Sequence, residues 1–471
     1  MKQYPVSGPE NFFGGDQLSQ KTMINDLTNG SVAKQLMKFA GPFILANLLQ
    51  NVYNMVDMIV VGQFVGSSAL SAVSIGGDIL HLATFIVMGV GSAGQILIAQ
   101  YVGNKRQDKL SSTIGTMFSS LTIIAVIMTF VGLFFRDALL DLLNTPEEAY
   151  SQAQDYCTIC YLGLIFIYGY NIVSSVLRGM GDSKRPLMFI AIAAVMNLVL
   201  DLVFVAGLGM KSFGAALATV IGQGFSFIVS VIYLYRRREA FGFDFKLKSF
   251  KIDLPSLKAL AKLGVPLALQ MSAITISSMF VNSYINSYGV VVSAVTGVGN
   301  KIALVMSVIT QSFGTAGSSM VGQNFGAGKF DRIRKVLWFS LLINVAFALV
   351  LTAVMLIDAE GVFSLFNTDP EVLAMASVYA PIAILNFFGF ATRNPFMALI
   401  NGLGHGRLSL FIGICDGIVA RIGLAMLLGI VLDMGIMGFW LGSVFAGFVP
   451  TIIGLIYYFS GSWKKRQLNL G

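Results

Sequence analysis

The chain has 471 residues, of which 56% are hydrophobic and only 11% are charged. Soluble domains carry about 25% charged residues, so this composition leaves one broad class, a polytopic α-helical membrane protein with a mean hydropathy of +0.77. The net charge of +8 does not indicate nucleic-acid binding, because Lys and Arg lie between the apolar runs, where membrane proteins place them.

Continuous apolar runs of about 20 residues predict transmembrane helices, not the short alternating segments of a β-barrel. We expect an all-α integral membrane protein with twelve transmembrane helices in two pseudo-twofold-related six-helix bundles. The predicted spans lie near 36–61, 70–100, 113–135, 155–178, 186–208 and 212–236, and then near 260–286, 290–322, 335–357, 373–400, 407–430 and 434–460. The predicted organisation is a mobile cytosolic tail (1–35), a first lobe (36–238), a charged cytosolic linker (239–258), a second lobe (259–461) and a cytosolic C-terminal tail (462–471).

Twelve spans place both termini on one side of the membrane. That side receives 26 of the 31 Lys and Arg residues, whereas the opposite loops hold Arg136 and Lys211 and several acids. Membrane proteins retain positive loops on the cytoplasmic side. The sequence therefore predicts cytoplasmic termini, in the plasma (inner) membrane of a prokaryote.

The two halves of the chain align at an offset near 223 residues, and several anchors at one offset indicate internal duplication. Six helices per half is an even number, so the repeats are parallel, and transporters of this kind bind substrate between the lobes near the midplane. The matching segments are 99–103 with 322–326, 142–145 with 365–368, 179–181 with 402–404, and 38–42 with 262–266 at an offset of 224.

Polar residues inside an apolar span are costly and by default mark a functional site. The first span has five within one third of its circumference, which predicts either a wet cavity or a structural hydrogen-bonded cluster. Pro42 precedes them and permits a kink, which is either static or a hinge whose bend depends on the charge of the last residue in the stripe. The five residues are Asn47, Gln50, Tyr53, Asn54 and Asp57.

A second polar group lies on the fifth and sixth spans. Asn197 and Asp201 are four residues apart and share a helix face, and Thr219 follows on the next span. Together with Asp57 these residues make an all-oxygen set with two carboxyl groups, which suits a hard cation such as Na⁺. The same two carboxyl groups, if close and unoccupied, would retain one proton, which suits H⁺ coupling. Both coupling ions therefore stay open.

The remaining intramembrane charges allow further hypotheses. Asp78 and Lys301 correspond under the repeat offset and could form an external gate pair, or each could pair locally. Asp416 and Arg421 are interpreted as a structural pair, and Arg393 as a residue that faces the cavity. We assign the substrate cavity to Asn47, Gln50, Tyr53, Asn54, Asn171, Phe280, Asn282 and Arg393.

The sequence has no Walker A pattern, catalytic triad or metal-ligand spacing. We therefore expect a transporter and not an enzyme, with no structural metal and no cofactor beyond the coupling ion. We expect it to act as a monomer in the lipid bilayer on a small organic cation.

Three segments, 54–62, 177–186 and 197–219, resemble the multidrug and toxic compound extrusion (MATE) family, and the resemblance covers the chain after residue 35 or so. Within the family, the chain is similar to the DinF-like branch. The resemblance implies that Pro42 bends the first helix and that Gln50 and Tyr53 line the first-lobe cavity. It also implies that the cation is bound by Asp57, Asn197, Asp201 and Thr219.

The function that this resemblance implies is a rocking antiporter that uses an H⁺ or Na⁺ gradient to export cationic amphiphiles. The alternative is a flippase for a lipid-linked precursor, which predicts about fourteen helices and a strongly cationic cavity. The second lobe lacks the acids of the first, because Phe280 aligns with Asp57, and Leu424 or Ala425 with Asp201. We therefore expect the first lobe to sense the cation.

Overall fold

The computed structural model describes residues 23–466. Twelve helical spans follow one another along the chain, and the fourth is bent by 50° between its two segments. The sixth is followed by short helices in the linker, at Arg238–Phe241 and Leu247–Phe250. The spans are α1 (Val32–Phe64), α2 (Ser67–Gly103), α3 (Gln107–Leu142), α4 (Glu147–Leu162 and Leu164–Gly179), α5 (Lys184–Gly207), α6 (Lys211–Arg236), α7 (Leu254–Asn286), α8 (Val290–Gly326), α9 (Phe330–Ile357), α10 (Ala376–Gly402), α11 (Gly406–Val431) and α12 (Gly435–Phe459).

Length and composition account for these spans. Within residues 23–466, ten helices are long and apolar enough to cross a membrane, and the bent pair α4 makes an eleventh. The twelfth, α10, has 27 residues, or about 40 Å at 1.5 Å per residue, and it includes the polar residues Arg393 and Asn394. The predicted twelve-helix fold is confirmed.

The helices form two lobes, α1–α6 and α7–α12. One apolar core joins α2–α6 to the start of α7, a second lies within the second lobe, and a third packs the start of α1 against α8, α9 and α10. The proline of α1, Pro42, has a counterpart in Pro266 of α7, and both helices continue through their prolines without interruption. Two helices depart from α-helical geometry. α5 widens to a π-helix over Leu202–Gly207, directly after Asp201, and α11 does so over Ile414–Ile422.

The lobes meet most closely where α2 and α8 end. A Cβ atom added to Gly103 would overlap the carbonyl oxygen of Gln323, and one added to Gly326 would overlap the carbonyl oxygen of Gln100. These four residues belong to the repeat segments 99–103 and 322–326, so the contact is made twice, once from each lobe. We call it the terminal-side closure, because it lies on the membrane side that holds the described ends of the chain.

Residues 23–31 lie across both lobes on this side, and we call them the strap. In the first lobe and linker, the backbone N–H groups of Met23 and Asn25 donate to Ala240 O at 2.7 Å and Met180 O at 2.9 Å. In the second lobe, Gln323 Oε1 accepts from Leu27 N at 2.9 Å. Further bonds are Asn324 Nδ2 to Leu27 O, Lys329 Nζ to Thr28 O and Arg332 Nη1 to Gly30 O, at 3.1, 2.9 and 2.6 Å.

An internal turn holds the strap in shape. Burial opposes ionisation of Asp26, but hydrogen bonds from the side chain and backbone of Thr28 and from Asn29 keep the pKa of Asp26 below its usual value. Within the predicted tail of residues 1–35, residues 23–31 are hydrogen-bonded to both lobes, and α1 begins at Val32. Residues 1–22 and 467–471 lie outside the described residues.

The terminal-side closure generates the first prediction. Gly103→Ala places a methyl group on the backbone of α8, which cannot move as a side chain can, so the lobes must separate on this side. The reporter is a cysteine introduced by Ser319→Cys, at a fully buried position on α8. With Gly103→Ala this cysteine should react with a maleimide about tenfold faster than it does with Gly103 in place, the ratio that a change of about 1.4 kcal/mol in the free energy of opening produces. The labelling is measured on purified protein that lacks Cys157, Cys160 and Cys415.

The matched control is Gly77→Ala on the same helix, where an added Cβ meets no atom within 4 Å. It should label at the parent rate. Equal labelling of the two alanine variants would contradict the proposed role of the closure.

Candidate functional site

The predicted cation-site residues lie on α1, α5 and α6, which pack against one another. Asp57 is 8% exposed and Asp201 is fully buried, and their carboxyl groups lie within hydrogen-bonding reach of each other. One turn away from Asp201, Asn197 donates from Nδ2 to Thr219 Oγ1 at 3.3 Å. The structure thus brings the four residues together as two contacting pairs on adjoining helices.

The two carboxyl groups are poorly satisfied by the rest of the protein. Asp57 Oδ1 and both carboxyl oxygens of Asp201 are buried and accept no hydrogen bond from residues 23–466. Buried polar atoms without partners are rare in folded proteins and need an explanation. A shared proton or a bound monovalent cation would supply the missing interaction, because two carboxylates in contact cannot easily both stay charged.

The oxygen donors at this site favour a hard cation over a transition metal. Among the described residues, no three His, Cys, Asp or Glu side chains gather into a possible metal cluster. What a cation would meet is the acid pair, with the oxygens of Asn197 and Thr219 on the neighbouring turn and helix.

Part of the polar stripe on α1 continues from the acid pair. The hydroxyl of Tyr53, one turn before Asp57, lies within hydrogen-bonding reach of Gln50 on its own helix and of Gln223 on α6. Asn54 is exposed. The stripe therefore links α1 to α6 beside the acids, so a shift of α1 would change the surroundings of both carboxyl groups.

A cavity of about 260 Å³ lies between the lobes, and we call it the central cavity. Three of the predicted substrate residues, Asn47, Gln50 and Asn171, line it. Asn47 Nδ2 also donates to Ser312 Oγ of α8 at 3.0 Å, which joins the lobes, and Asn171 Nδ2 donates to Ile167 O at 2.8 Å. A second cavity of about 160 Å³ shares several wall residues with it and reaches Asn394 and Asn401 on α10.

Three other predicted cavity residues lie elsewhere. Phe280 and Asn282 are exposed on α7, away from the walls of these two cavities, and the Phe280 ring packs 5.2 Å from that of Tyr284. Arg393 is also absent from the cavity walls, because its guanidinium turns into the second lobe and pairs with the buried Asp416 at 3.5 Å. The predicted Asp416–Arg421 pair is present, at 3.0 Å, so two arginines share one carboxylate.

The gate pair of Asp78 and Lys301 is not formed in this structure. Both residues are exposed, and Lys301 Nζ lies 6.0 Å from the ring centre of Phe366 within its own lobe. The physical reason is the position of the lobe contacts: the terminal-side closure and the strap hold the opposite end of the lobes together. Charges near the far ends of α2 and α8 are therefore left apart.

Sequence reasoning missed a polar connection between the lobes on the terminal side. Arg178 Nε donates to Gln95 Oε1 at 3.0 Å, and Gln95 Nε2 donates across the lobes to Ser319 Oγ at 2.8 Å and Thr315 O at 3.2 Å. Gln100 Nε2 likewise reaches Gly402 O at 2.8 Å. The signal was available, because glutamines near the ends of apolar spans need partners.

Comparison with known proteins gives an independent view of the duplication. The MatE family model matches the chain twice, at residues 42–203 and 266–427. The second match begins and ends 224 residues after the first, which confirms the internal repeat. At this offset Asp57 aligns with Val281, Asn197 with Arg421 and Asp201 with Ala425, one residue from the positions given by the offset of 223.

Curated relatives match over nearly their whole length. The probable multidrug resistance protein YpnP of Bacillus subtilis is 30% identical over 448 residues, 94% of this chain and 98% of the relative. The probable multidrug resistance protein YoeA of the same organism is 29% identical over 444 residues, 93% and 96% of the two chains.

A solved structure has the same fold. The outward-facing conformation of a multidrug resistance MATE family transporter of the MOP superfamily superposes with a TM-score of 0.84 at 23% identity, covering 94% of this chain and 98% of that one. The double match to one family model, the relatives that align over nearly their whole length and the shared fold all agree. The chain is a multi-pass membrane transporter of the MatE family, and not an enzyme.

Proposed function

We propose that this protein is a cation-coupled antiporter that exports small organic molecules, cationic amphiphiles among them, by alternating access. The observation that carries the proposal is the buried Asp57–Asp201 pair, three of whose four carboxyl oxygens accept no hydrogen bond from residues 23–466. Relatives named as multidrug resistance proteins support drugs as substrates. The coupling ion is H⁺ or Na⁺, no other cofactor is needed, and the chain acts as a monomer.

The proposed transport cycle follows from the difference between the two membrane sides of the protein. Lys and Arg are concentrated on the terminal side, so we place that side in the cytoplasm of a prokaryotic cell. The structure is closed there, which makes it outward-facing in this orientation. A cation that enters from outside binds the acid pair, and the terminal-side closure must then open for substrate to enter from the cytoplasm.

α1 is suited to connect the two events, because it carries Asp57 and reaches the central cavity through Asn47 and Gln50. Pro42 lies inside α1, beside Gly41, where an added Cβ would meet no atom within 4 Å. Space beside the proline permits α1 to bend, in keeping with the hinge proposed for Pro42.

A lipid-linked precursor flippase is the second candidate. It predicts about fourteen helices and a strongly cationic cavity, whereas the described residues form twelve spans and the central cavity has one cationic side chain, Arg178. Both observations favour the antiporter.

The first functional prediction concerns the acid pair. Asp57→Asn or Asp201→Asn removes the charge that binds the cation, so ethidium efflux from energised cells should fall to the level of cells without the transporter. Efflux is measured by fluorescence, with expression checked by immunoblot. Glu360→Gln, which neutralises an exposed loop acid on the far side, serves as the control and should export ethidium as the unmodified protein does. Normal efflux by both aspartate variants would refute the site.

The second prediction concerns the coupling ion. Uphill drug efflux should collapse with a protonophore if H⁺ drives it, or on removal of Na⁺ if Na⁺ does, because the acid pair can bind either ion. The assay uses proteoliposomes with each gradient imposed separately. Uphill efflux that survives the absence of both gradients would rule out cation coupling.

The third prediction separates a functional acid from a structural one. Asp416→Asn leaves the guanidinium groups of Arg393 and Arg421 inside the membrane without their carboxylate, which should cost about 3–5 kcal/mol of stability. Asp201→Asn removes a carboxyl group that accepts no hydrogen bond from residues 23–466 and should not lower stability. The melting temperatures of the purified variants, read by size-exclusion fluorescence, test this order, and the reverse order would contradict it.

A further inference from the structure

The central cavity has an unusual charge. Among its wall residues Arg178 is the one charged side chain, and no carboxyl group lies there. The other walls are neutral amides, hydroxyls and apolar groups. A site built for a simple organic cation would be expected to show the opposite sign. The polar members of the wall are Asn47, Gln50, Ser92, Gln95, Tyr170, Asn171, Ser175, Gln311 and Thr315.

Arg178 is held in place by neutral partners. Its Nε donates to Gln95 Oε1 at 3.0 Å and its Nη2 to Ser175 Oγ at 2.8 Å, while Nη1 donates to no atom of residues 23–466. No carboxylate of the described residues pairs with it. This distinguishes it from Arg185, which pairs with Asp182, and from Arg393 and Arg421, which share Asp416.

A guanidinium group in a low-dielectric site without a counter-ion is destabilising. Its free N–H groups form a planar fork that matches the two oxygens of a carboxylate, and such charge-assisted pairs are about twice as strong as neutral hydrogen bonds. Arg178 also lies on the wall of a cavity that is large enough to admit part of a small molecule. The missing counter-ion is therefore expected to come from a ligand.

We propose that Arg178 binds the carboxylate of the transported molecule, so that the preferred substrates are amphoteric, with a carboxylate as well as a basic nitrogen. This inference rests on the proposed export function and narrows its substrate class. The acid pair on α1 and α5 and the guanidinium in the central cavity give the transport path sites of both signs. A substrate with both charges can use each of them, whereas a simple cation gains nothing from Arg178.

The competing role for Arg178 is purely positional, because it orients Gln95, which bridges the lobes to Ser319. The two roles differ in one respect. A positioning residue affects all substrates alike, whereas a carboxylate-binding residue affects only those that have a carboxylate. The test therefore needs two probes that differ in this group alone, for which norfloxacin and its methyl ester are suited.

Arg178→Gln should weaken the binding and uphill transport of norfloxacin about tenfold more than those of the ester, and Arg178→Lys should retain part of the preference. Binding is measured by calorimetry in detergent and transport in proteoliposomes. The tenfold ratio corresponds to the loss of one hydrogen bond to a charged group.

Gln95→Glu tests the idea without removing the arginine, and it remains informative if Arg178→Gln does not fold. It is close to isosteric and supplies an internal carboxylate 3.0 Å from Arg178 Nε, the distance that now separates Nε from Gln95 Oε1. This carboxylate should compete with that of norfloxacin and abolish the preference over the ester.

Two controls complete the design. Ser319→Ala removes the hydroxyl that Gln95 reaches across the lobes, without changing charge or the contacts of Arg178, and Arg421→Gln makes the same charge change at an arginine that is already paired with Asp416. Each should change both probes by the same factor.

An unchanged ratio of norfloxacin to ester in Arg178→Gln, with both transported by the unmodified protein, would overturn the carboxylate site and leave export intact. An Arg178-dependent preference in binding, with neither probe transported, would support the site and overturn export.

Discussion

The closed terminal side requires α2 and α8 to approach each other at their ends with no side chain between the two backbones. Two glycines, Gly103 and Gly326, let backbone meet backbone across the lobes. Side chains larger than hydrogen would keep the helices apart and prevent Gln95 from reaching Ser319. Gly103 with Gln100 and Gly326 with Gln323 come from equivalent repeat segments. One short motif, present once in each lobe, therefore forms a self-complementary interface of the kind that twofold symmetry produces.

Duplication preserved this interface but changed the interiors of the two lobes. At the offset of the two MatE matches, the buried residues Val281 and Ala425 occupy the positions of Asp57 and Asp201, and Arg421 occupies that of Asn197. The first lobe therefore has two acids in contact, whereas the second has two arginines around one acid. Intramembrane charge is costly, so both arrangements need a reason. Pairing supplies it in the second lobe. In the first, three carboxyl oxygens accept no hydrogen bond from residues 23–466, which supports the proposed cation site.

The sequence was sufficient for features that depend on composition and on spacing along one helix. Twelve spans, the duplication and the shared face of Asn197 and Asp201 all follow from periodicity. It failed where the answer depends on which distant residues meet. Arg393 could have faced the cavity or its own lobe, and only the position of Asp416 on α11 decides between them. The polar, Gly- and Asn-rich sequence of the strap, residues 23–31, is typical of a mobile tail. It contains no sign that Gln323 and Arg332, about 300 residues later, lie within hydrogen-bonding distance.

The closure is held by hydrogen bonds whose net contribution is small, so the lobes can separate and close again. Its hydrogen bonds, in the strap and at Gln95 and Gln100, lie near the aqueous side, so they are replaced by bonds to water when the lobes part, and each contributes about 0.5–1.5 kcal/mol net. A ligand moves such an equilibrium only by its differential affinity for the two states, and a full reversal of populations takes about 5.5 kcal/mol. α1 can transmit that difference, because one helix begins at the strap, joins α8 through Asn47 and ends beyond Asp57. In the proposed mechanism, a change in the charge or occupancy of the acid pair would act on the closure through a single continuous element, with Pro42 between the two.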